Sequence, residues 1–167
     1  MILRSAGRYT SDERRIVDSV LRDFPFLCLC LNRRREYLTA MCSGCGSEGR
    51  VQGGESVPLA ERVLLAITSD SEYCQLAAVV ERLREALSGL SERLFSVVEE
   101  IYFRGKPPQM LMEELGVGEK WLRIRRSLIY ENLSAIVFQI YPMVRRWRQR
   151  EQRRCEEALE ILSVKCG

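Results

Sequence analysis

The sequence predicts an all-α protein with four parts: a helical N-terminal hairpin (1–42), a glycine-rich linker (43–57), a helix-turn-helix domain (58–137) and a basic C-terminal helix (138–167). Three observations favour this fold class. Apolar residues recur at steps of three and four along much of the chain, as they do on the buried face of a helix. Capping motifs precede several of these stretches. The sequence also lacks the alternating runs and hairpin dipeptides that are typical of strands.

The composition limits the class of protein. The 167 residues are 46% hydrophobic, enough for one packed core, and 29% charged, as is typical of a folded, soluble chain. The longest apolar run, Phe26–Leu31, is far shorter than the about 20 residues that span a bilayer. The stretch Met1–Gly7 lacks the apolar core of a signal peptide. We therefore expect a cytoplasmic protein without membrane contact.

The sequence holds no histidine, so the commonest general base and the commonest metal ligand are both missing. Aspartate is also scarce, occurring only at Asp12, Asp18, Asp23 and Asp70. The residue types that most enzymes use are thus depleted. We expect a protein that is not an enzyme and that uses no cofactor.

The N-terminal region begins with a capping box, Thr10-Ser-Asp-Glu13, ahead of apolar residues at helical spacing. Pro25 is expected to stop or kink this first helix and to leave Phe24 extended. A second helix is then expected from Pro25 to about Met41. The two helices would form the N-terminal hairpin.

The stretch Ser43–Val57 contains five glycines and is typical of a flexible linker, so it is the best candidate domain boundary. A short apolar helix is expected over Pro58–Thr68. A second capping box, Ser69-Asp-Ser-Glu72, precedes another helix that Gly89 ends. Ser91 is placed to cap the next helix. The apolar stripes of these last two helices are Leu76, Val79, Val80, Leu83 and Leu87, then Leu94, Val97, Val98, Ile101 and Tyr102.

A helix-turn-helix is predicted near residues 107–133. Gly105 can end the preceding helix, and two prolines, Pro107 and Pro108, occupy positions typical of a helix start. A short helix is expected over Gln109–Leu115, followed by a turn in which Gly116 adopts a left-handed conformation. Val117 would fill the space between the two helices. The second helix begins at Glu119 and buries Leu122, Ile129 and Leu133.

This second helix has the residues of a reader of the DNA major groove, which admits one helix with its first turns on base edges. The expected base contacts are Lys120, Trp121, Arg123 and Arg126, and the expected phosphate contacts are Arg125 and Lys106. The alternative is that the two helices form only a structural corner. The density of arginine on the second helix favours DNA.

The run Ser91–Ile129, with Pro107-Pro-Gln-Met-Leu-Met-Glu-Glu-Leu-Gly-Val-Gly118 at its turn, resembles the fourth region of bacterial sigma factors. It is more similar still to the ArpU and RinA families of phage transcriptional regulators. The segment from Ile16 to Pro25 resembles their opening helix. The resemblance covers about residues 10–40 and 75–136.

The resemblance implies a prophage-encoded activator of late or packaging genes. Such a regulator acts at promoter DNA in the cytoplasm of the bacterial host cell and contacts host RNA polymerase. The helix at 119–133 would be its recognition helix. Two residues depart from the family pattern: Met112 stands where a small residue is usual, and Gly118 replaces the usual Ser or Thr cap.

Four of the seven cysteines, Cys28, Cys30, Cys42 and Cys45, raise the question of a zinc site. Zinc sites usually take two pairs of cysteines, each pair at the spacing of a zinc knuckle. Cys28 and Cys30 are two positions apart, and side chains at that spacing on a helix point to nearly opposite sides. The alternative is that Cys28 and Cys30 are small core residues and that Cys42 and Cys45 lie in the glycine-rich loop. We predict no metal and free thiols.

The C-terminal helix carries six arginines between Tyr141 and Leu162. Arg146 and Arg150 lie on one basic face that would add phosphate affinity. Another face repeats at three- and four-residue steps like a coiled-coil seam, with Val144, Trp147, Glu151, Cys155, Ala158 and Leu162. It predicts either a homodimer or a helix that packs back on its own domain.

Two functions remain from these observations. The first is a sequence-specific transcription regulator that binds double-stranded DNA. The second is a non-enzymatic adaptor or packaging protein, like a small terminase subunit or an RNA-polymerase-binding factor, that uses the same helices to bind protein. Binding to DNA as a function of salt separates the two.

Overall fold

A computed structural model describes residues 9–44 and 57–165 of the chain. These residues contain no strand, so the predicted all-α fold is confirmed. The helices are α1 (Ser11–Gly44), α2 (Leu59–Ser69), α3 (Ser71–Ser88), α4 (Glu92–Val98) with a π-helical turn at Glu99–Phe103, α5 (Pro108–Leu115) and α6 (Glu119–Lys165). Most of the predicted linker, 45–56, lies outside the described residues, as does Cys45.

The chain divides into two compact units that differ from the predicted domains. Residues 1–22 and 86–167 form the first unit, and residues 23–85 form the second. The boundaries fall inside α1 and inside α3. The predicted N-terminal region 1–42 is therefore not a unit of its own, because the first turns of α1 bond to α6 of the first unit.

Helix α1 begins at the predicted capping box. The Glu13 amide donates to Thr10 Oγ1 at 3.2 Å, and the Thr10 amide donates to Glu13 Oε2 at 2.8 Å. Pro25 was predicted to stop or kink the helix, with Phe24 extended. The stop and the extended Phe24 are wrong, since α1 continues through Pro25 to Gly44. Proline removes one helical hydrogen bond, at a cost of about 3 kcal/mol. Apolar residues are buried on both sides of it, and their packing offsets that cost.

The cap between α2 and α3 is shifted by one residue from its predicted position. Ser69 is the last residue of α2, and its hydroxyl donates back to the Leu65 carbonyl at 2.6 Å. Asp70 caps α3 instead, accepting the Tyr73 amide at 2.7 Å. Arg34 also donates to Asp70, at 2.7 Å, and these two hydrogen bonds lower the pKa of the Asp70 carboxyl. The Asp70 carboxylate thus joins α1 and α3 within the second unit.

Both predicted apolar stripes, on α3 and on α4 with its π-helical turn, are buried throughout. Of the described helices, none is by itself long and apolar enough to cross a membrane; α2 and α3 meet that criterion only together, as a pair bent by 77°.

Helix α6 is one continuous helix of 47 residues with Pro142 inside it. The predicted division at 137/138 into a recognition helix and a separate basic helix is therefore wrong. The same side of α6 stays buried across that point, which explains why the helix does not break there. The buried residues are Leu122, Ile129, Tyr130, Leu133, Val137, Ile140, Val144 and Trp147.

This burial changes the interpretation of the proposed dimer seam. Val144 and Trp147 are only 3% and 8% exposed within a single chain, so a partner helix cannot use them. Of the remaining seam residues, Cys155 is exposed, while the side chains of Ala158 and Leu162 lie outside the described residues. This half of the seam belongs to the alternative we stated, a helix packed back on its own domain.

We expect Trp147→Glu to destabilise the fold rather than to dissociate a dimer. Removing a buried tryptophan costs about 3–5 kcal/mol, and the introduced charge adds a desolvation cost. Gln149→Glu, at an exposed position two residues away, is the matched control and should leave stability within about 0.5 kcal/mol. Denaturant unfolding measures both. A Trp147→Glu protein of unchanged stability that sediments as a smaller species would restore the dimer interpretation.

Candidate nucleic-acid interface

The turn between α5 and α6 is set by Gly116, which has a positive φ of 62°. The Gly116 amide donates to the Glu113 carbonyl at 3.2 Å, and the Val117 amide donates to the Met112 carbonyl at 3.0 Å. This pair of bonds is the Schellman motif, which closes a helix with a left-handed glycine. The predicted turn is confirmed. Gly105, with φ 68°, likewise follows the π-helical turn.

The corner between the two helices is filled differently from the prediction. Val117 is only half-buried, whereas Leu111 of α5 and Leu122 of α6 are 4% and 6% exposed. Gly118 starts α6 through its carbonyl, which accepts the Trp121 amide at 3.0 Å. Because glycine has no side-chain cap, the first turn of α6 relies on this backbone bond.

Two predicted base contacts, Lys120 and Arg123, lie exposed on the first two turns of α6. Neither forms an ion pair with any residue in the described part of the chain. Ile124, 48% exposed, lies on the same outward side, four residues after Lys120. The outward surface of the helix start is therefore cationic with an apolar centre.

Trp121 and Arg125 form one edge of this surface. The Arg125 guanidinium lies over the Trp121 ring, 5.2 Å from its centroid, and both side chains are half-buried. This cation–π contact holds the two groups against each other without neutralising the charge. Trp121 also lines a groove with Leu111 and Leu115, so it lies at the side of the helix rather than on its outermost face.

Arg126 is not available to DNA bases, contrary to the prediction. Its guanidinium donates to Asp18 Oδ2 at 2.9 Å, and its side chain is 33% exposed against 17% for Asp18. Tyr102 and Tyr130 donate their hydroxyls to Asp18 Oδ1 at 2.6 and 2.9 Å. We call these four residues the Asp18 cluster. Arg126 therefore has a structural role, which is to bond α6 to α1.

The protonation states of the cluster support its bonding pattern. Burial raises the pKa of the Tyr102 and Tyr130 hydroxyls, and the nearby Asp18 carboxylate raises both further. Burial by itself lowers the pKa of Arg126, but the phenol oxygens and the carboxylate raise it above its ordinary value. Both tyrosines thus remain hydrogen-bond donors and Arg126 remains charged at any physiological pH.

Lys106 was predicted to contact a DNA phosphate, but it forms ion pairs within the chain instead. Its Nζ lies 2.6 Å from a Glu100 oxygen and 2.7 Å from a Glu114 oxygen. These bonds raise the pKa of Lys106, and its bond to Glu100 lowers the pKa of that carboxyl. Glu100 also pairs with Arg104 at 2.7 Å, so the charges around Lys106 are compensated within the chain. The bridge instead joins the π-helical turn to α5.

The two predicted tail residues, Arg146 and Arg150, are exposed on α6. Arg146 Nε donates to the Pro142 carbonyl at 3.3 Å, which leaves its charge unneutralised. Among the described residues, Arg150 has no ion-pair partner. Both therefore keep the charge that a phosphate contact needs, although the tail lies several turns from the helix start.

A cleft of about 740 Å³ opens beside the start of α6, and sequence reasoning missed it. It lies between the first turns of α1, the start of α5 and the first three turns of α6. Arg14 and Arg15 of α1 line it together with Arg123. The sequence signal that could have indicated this side of the cleft is the adjacent pair of arginines just after the capping box.

The described residues contain no group of three or more cysteine or acidic side chains that could hold a metal ion. Cys28 and Cys30 are half-buried on α1, and Cys42 lies in its last turns rather than in a loop, donating to the Arg62 carbonyl at 3.7 Å.

Comparison of the chain with protein-family models, with curated proteins and with solved structures yields no match. The resemblance to the phage regulators thus stays a prediction, and the geometry above is the ground on which a function is assigned.

We expect Asp18→Ala to destabilise the fold by about 3 kcal/mol, because it leaves the half-buried Arg126 charge and two tyrosine hydroxyls without their acceptor. Tyr102→Phe removes a single donor and should cost about 1 kcal/mol. Urea denaturation followed by circular dichroism measures both.

The control for this series is Asp12→Ala on the same helix. Asp12 is 83% exposed and pairs with Arg15 at 3.7 Å, so its loss should change stability by a few tenths of a kcal/mol. Equal effects of Asp18→Ala and Asp12→Ala would show that the cluster does not hold α1 to α6.

Proposed function

We propose that this protein is a sequence-specific regulator of transcription that binds double-stranded DNA, of the kind that prophages encode. One observation carries the proposal: Lys120 and Arg123 stand exposed on the first two turns of the second helix, directly after a tight glycine turn, and have no ion-pair partner among the described residues. This is the position from which a helix-turn-helix reads bases. Such a regulator acts in the cytoplasm of the bacterial host.

The chemistry of this surface suits the major groove, which is about 12 Å wide and admits one helix. Arg123 can donate two hydrogen bonds to the outer edge of guanine, and Lys120 can donate to the same acceptors on a neighbouring base. Ile124 lies on the same side and can contact the methyl group of thymine. These three side chains replace the predicted set, from which two residues are removed: Arg126, which is bonded to Asp18, and Trp121, which lies at the side of the helix.

Phosphate contacts would come from residues around the helix start. Arg125, held on the Trp121 ring, lies at one edge of the reading surface. Arg146 and Arg150 on the tail can add affinity that does not depend on sequence. Lys106 no longer belongs to this set.

A second candidate, an adaptor that binds protein, is favoured by the groove on the other side of Trp121. Leu111, Leu115 and Val97 line it, and Leu115 is 52% exposed. Its three carboxylates are accompanied by the cations of Arg93 and Lys106. An apolar segment of a protein such as host RNA polymerase would suit it. DNA binding and this contact are compatible, since a regulator at a promoter needs both.

We expect Arg123→Ala to lose preference for the cognate sequence more than it loses general affinity. A bidentate arginine–guanine contact discriminates by about 1–3 kcal/mol, or about 5- to 150-fold. Arg150→Ala should instead weaken binding to all sequences alike and flatten the salt dependence by about one unit of slope. Fluorescence anisotropy with an enriched duplex and a scrambled duplex, at several salt concentrations, measures both.

Helical content and unfolding of each variant serve as the control for misfolding. Lys120→Ala, one turn from Arg123, should show the same loss of preference to a smaller degree. If wild-type protein binds the enriched and scrambled duplexes equally at physiological salt, the adaptor function replaces the regulator.

A further inference from the structure

We propose that the first turns of α1 are part of the DNA-binding surface, where Arg14 and Arg15 bind phosphates of the same duplex whose bases α6 reads. The inference rests on the proposed function and extends it to a helix that contributes no recognition motif. A separate set of observations supports it.

The first observation is the geometry of the cleft. Arg14 and Arg15 on α1 face Arg123 and Ser127 on α6 across one opening of about 740 Å³. Arg14 and Arg15 are exposed, as is Arg123. A helix that inserts into the major groove has a phosphate strand on each side of it, so groups beside the helix start meet phosphates and not bases. The first turns of α1 lie beside the start of α6, on the side of α6 that carries Arg123.

The second observation is the charge that the cleft retains. Three carboxylates line it: Asp18, Glu119 and Glu131. Asp18 is occupied by Arg126 and both tyrosines, which leaves three exposed guanidiniums facing two carboxylates. Arg14 has no carboxylate partner in the part of the chain that the structure describes.

The ion pair of Arg15 does not remove it from this set. Arg15 meets Asp12 at 3.7 Å with both side chains more than 80% exposed, and such a pair contributes under about 1 kcal/mol. A phosphate can displace it. Asp12 also lies outside the residues that line the cleft.

The third observation is that α1 is fixed where it borders the cleft. The Asp18 cluster bonds α1 to α6 at the floor, and the capping box orders the first turn of α1. A further bond joins Tyr9 and Ser134, whose hydroxyls lie 3.0 Å apart. Arg14 and Arg15 thus extend from a fixed backbone. A phosphate contact needs such a backbone if it is to set the register of the protein on DNA.

The open shape of the cleft favours a strand over a small ligand. Its arginines are exposed rather than enclosed, so they suit a phosphodiester chain that passes across the opening. Arg126 also lines the cleft, but its guanidinium is already paired with Asp18 at 2.9 Å.

The test is a salt titration of DNA binding by the full chain carrying Arg14→Gln and Arg15→Gln, singly and together. Glutamine keeps the helix propensity and removes only the charge. The slope of log affinity against log salt is negative, and each lost phosphate contact should make it less steep by about 0.9. When the salt concentration rises fourfold, the affinity of both proteins falls, and the fold-loss of the double variant should be about ten times smaller than that of the wild type.

The preference for an enriched over a scrambled duplex should be unchanged in the double variant, since phosphates carry no sequence information. Arg22→Gln is the matched control: Arg22 is exposed on the same helix, two turns beyond Arg15 and outside the cleft, so its slope should equal that of the wild type. Circular dichroism and unfolding confirm that each variant is folded.

The outcomes separate this inference from the proposed function. A wild-type slope in the double variant, an equal fall in slope for Arg22→Gln, or a loss of sequence preference would overturn the role of α1 and leave the regulator intact. A wild-type protein that binds neither duplex at any salt concentration would overturn both.

Discussion

The Asp18 carboxylate accepts hydrogen bonds from three side chains that are all far from it in sequence. Arg126, the donor it binds as an ion pair, is 108 residues away, and the Tyr102 and Tyr130 hydroxyls share its other oxygen. Removing a carboxylate and a guanidinium from water is costly, so such a pair adds little net stability over a well-packed apolar contact. Its effect is on position, because the cluster bonds α1 both to α6 and to the π-helical turn. We infer that the orientation of the proposed recognition helix depends on this cluster.

The π-helical turn before the helix-turn-helix belongs to the same arrangement. The Arg104 amide reaches the Glu99 carbonyl at 2.9 Å, a spacing of five residues in place of the usual four. The wider turn changes the phase of the chain at Tyr102, whose hydroxyl then meets Asp18 at 2.6 Å. The loop that follows is held by Lys106 between two glutamates. Lys106, which was predicted to contact a phosphate, instead bonds the π-helical turn to α5 beside the proposed site.

Local patterns predicted the parts of the fold that depend on nearest neighbours. The apolar stripes of α3 and α4, the capping box at Thr10 and the left-handed turn at Gly116 were all confirmed, because each is set by residues within a few positions. Pro25 was expected to stop or kink its helix, but α1 continues through it, and α6 likewise continues through Pro142. Burial on both sides of each proline outweighs its local cost, and the sequence around a proline does not show that burial.

The predicted site was partly wrong for a related reason: a charge was assigned to DNA without knowing its partner. Arg126 lies four residues after Leu122 and three before Ile129, so helical spacing already placed it on the buried face. Asp18 lies next to Val17 and three residues before Leu21, at the margin of another apolar stripe. A charged residue at such a place indicates an internal ion pair. Lys106 gave no comparable signal, because its partners depend on the path of the loop.

In the function that we propose, the outward face of the α6 start reads a DNA sequence. Selection of duplexes by the full chain from a random pool, at near-physiological salt, tests it most directly. We predict that successive rounds enrich a single motif with guanine at the positions that Arg123 and Lys120 reach, and that Arg123→Ala protein relaxes one of those positions while leaving the rest of the motif. A pool that stays random after repeated selection, while the protein still binds bulk DNA, would show that this face does not read sequence.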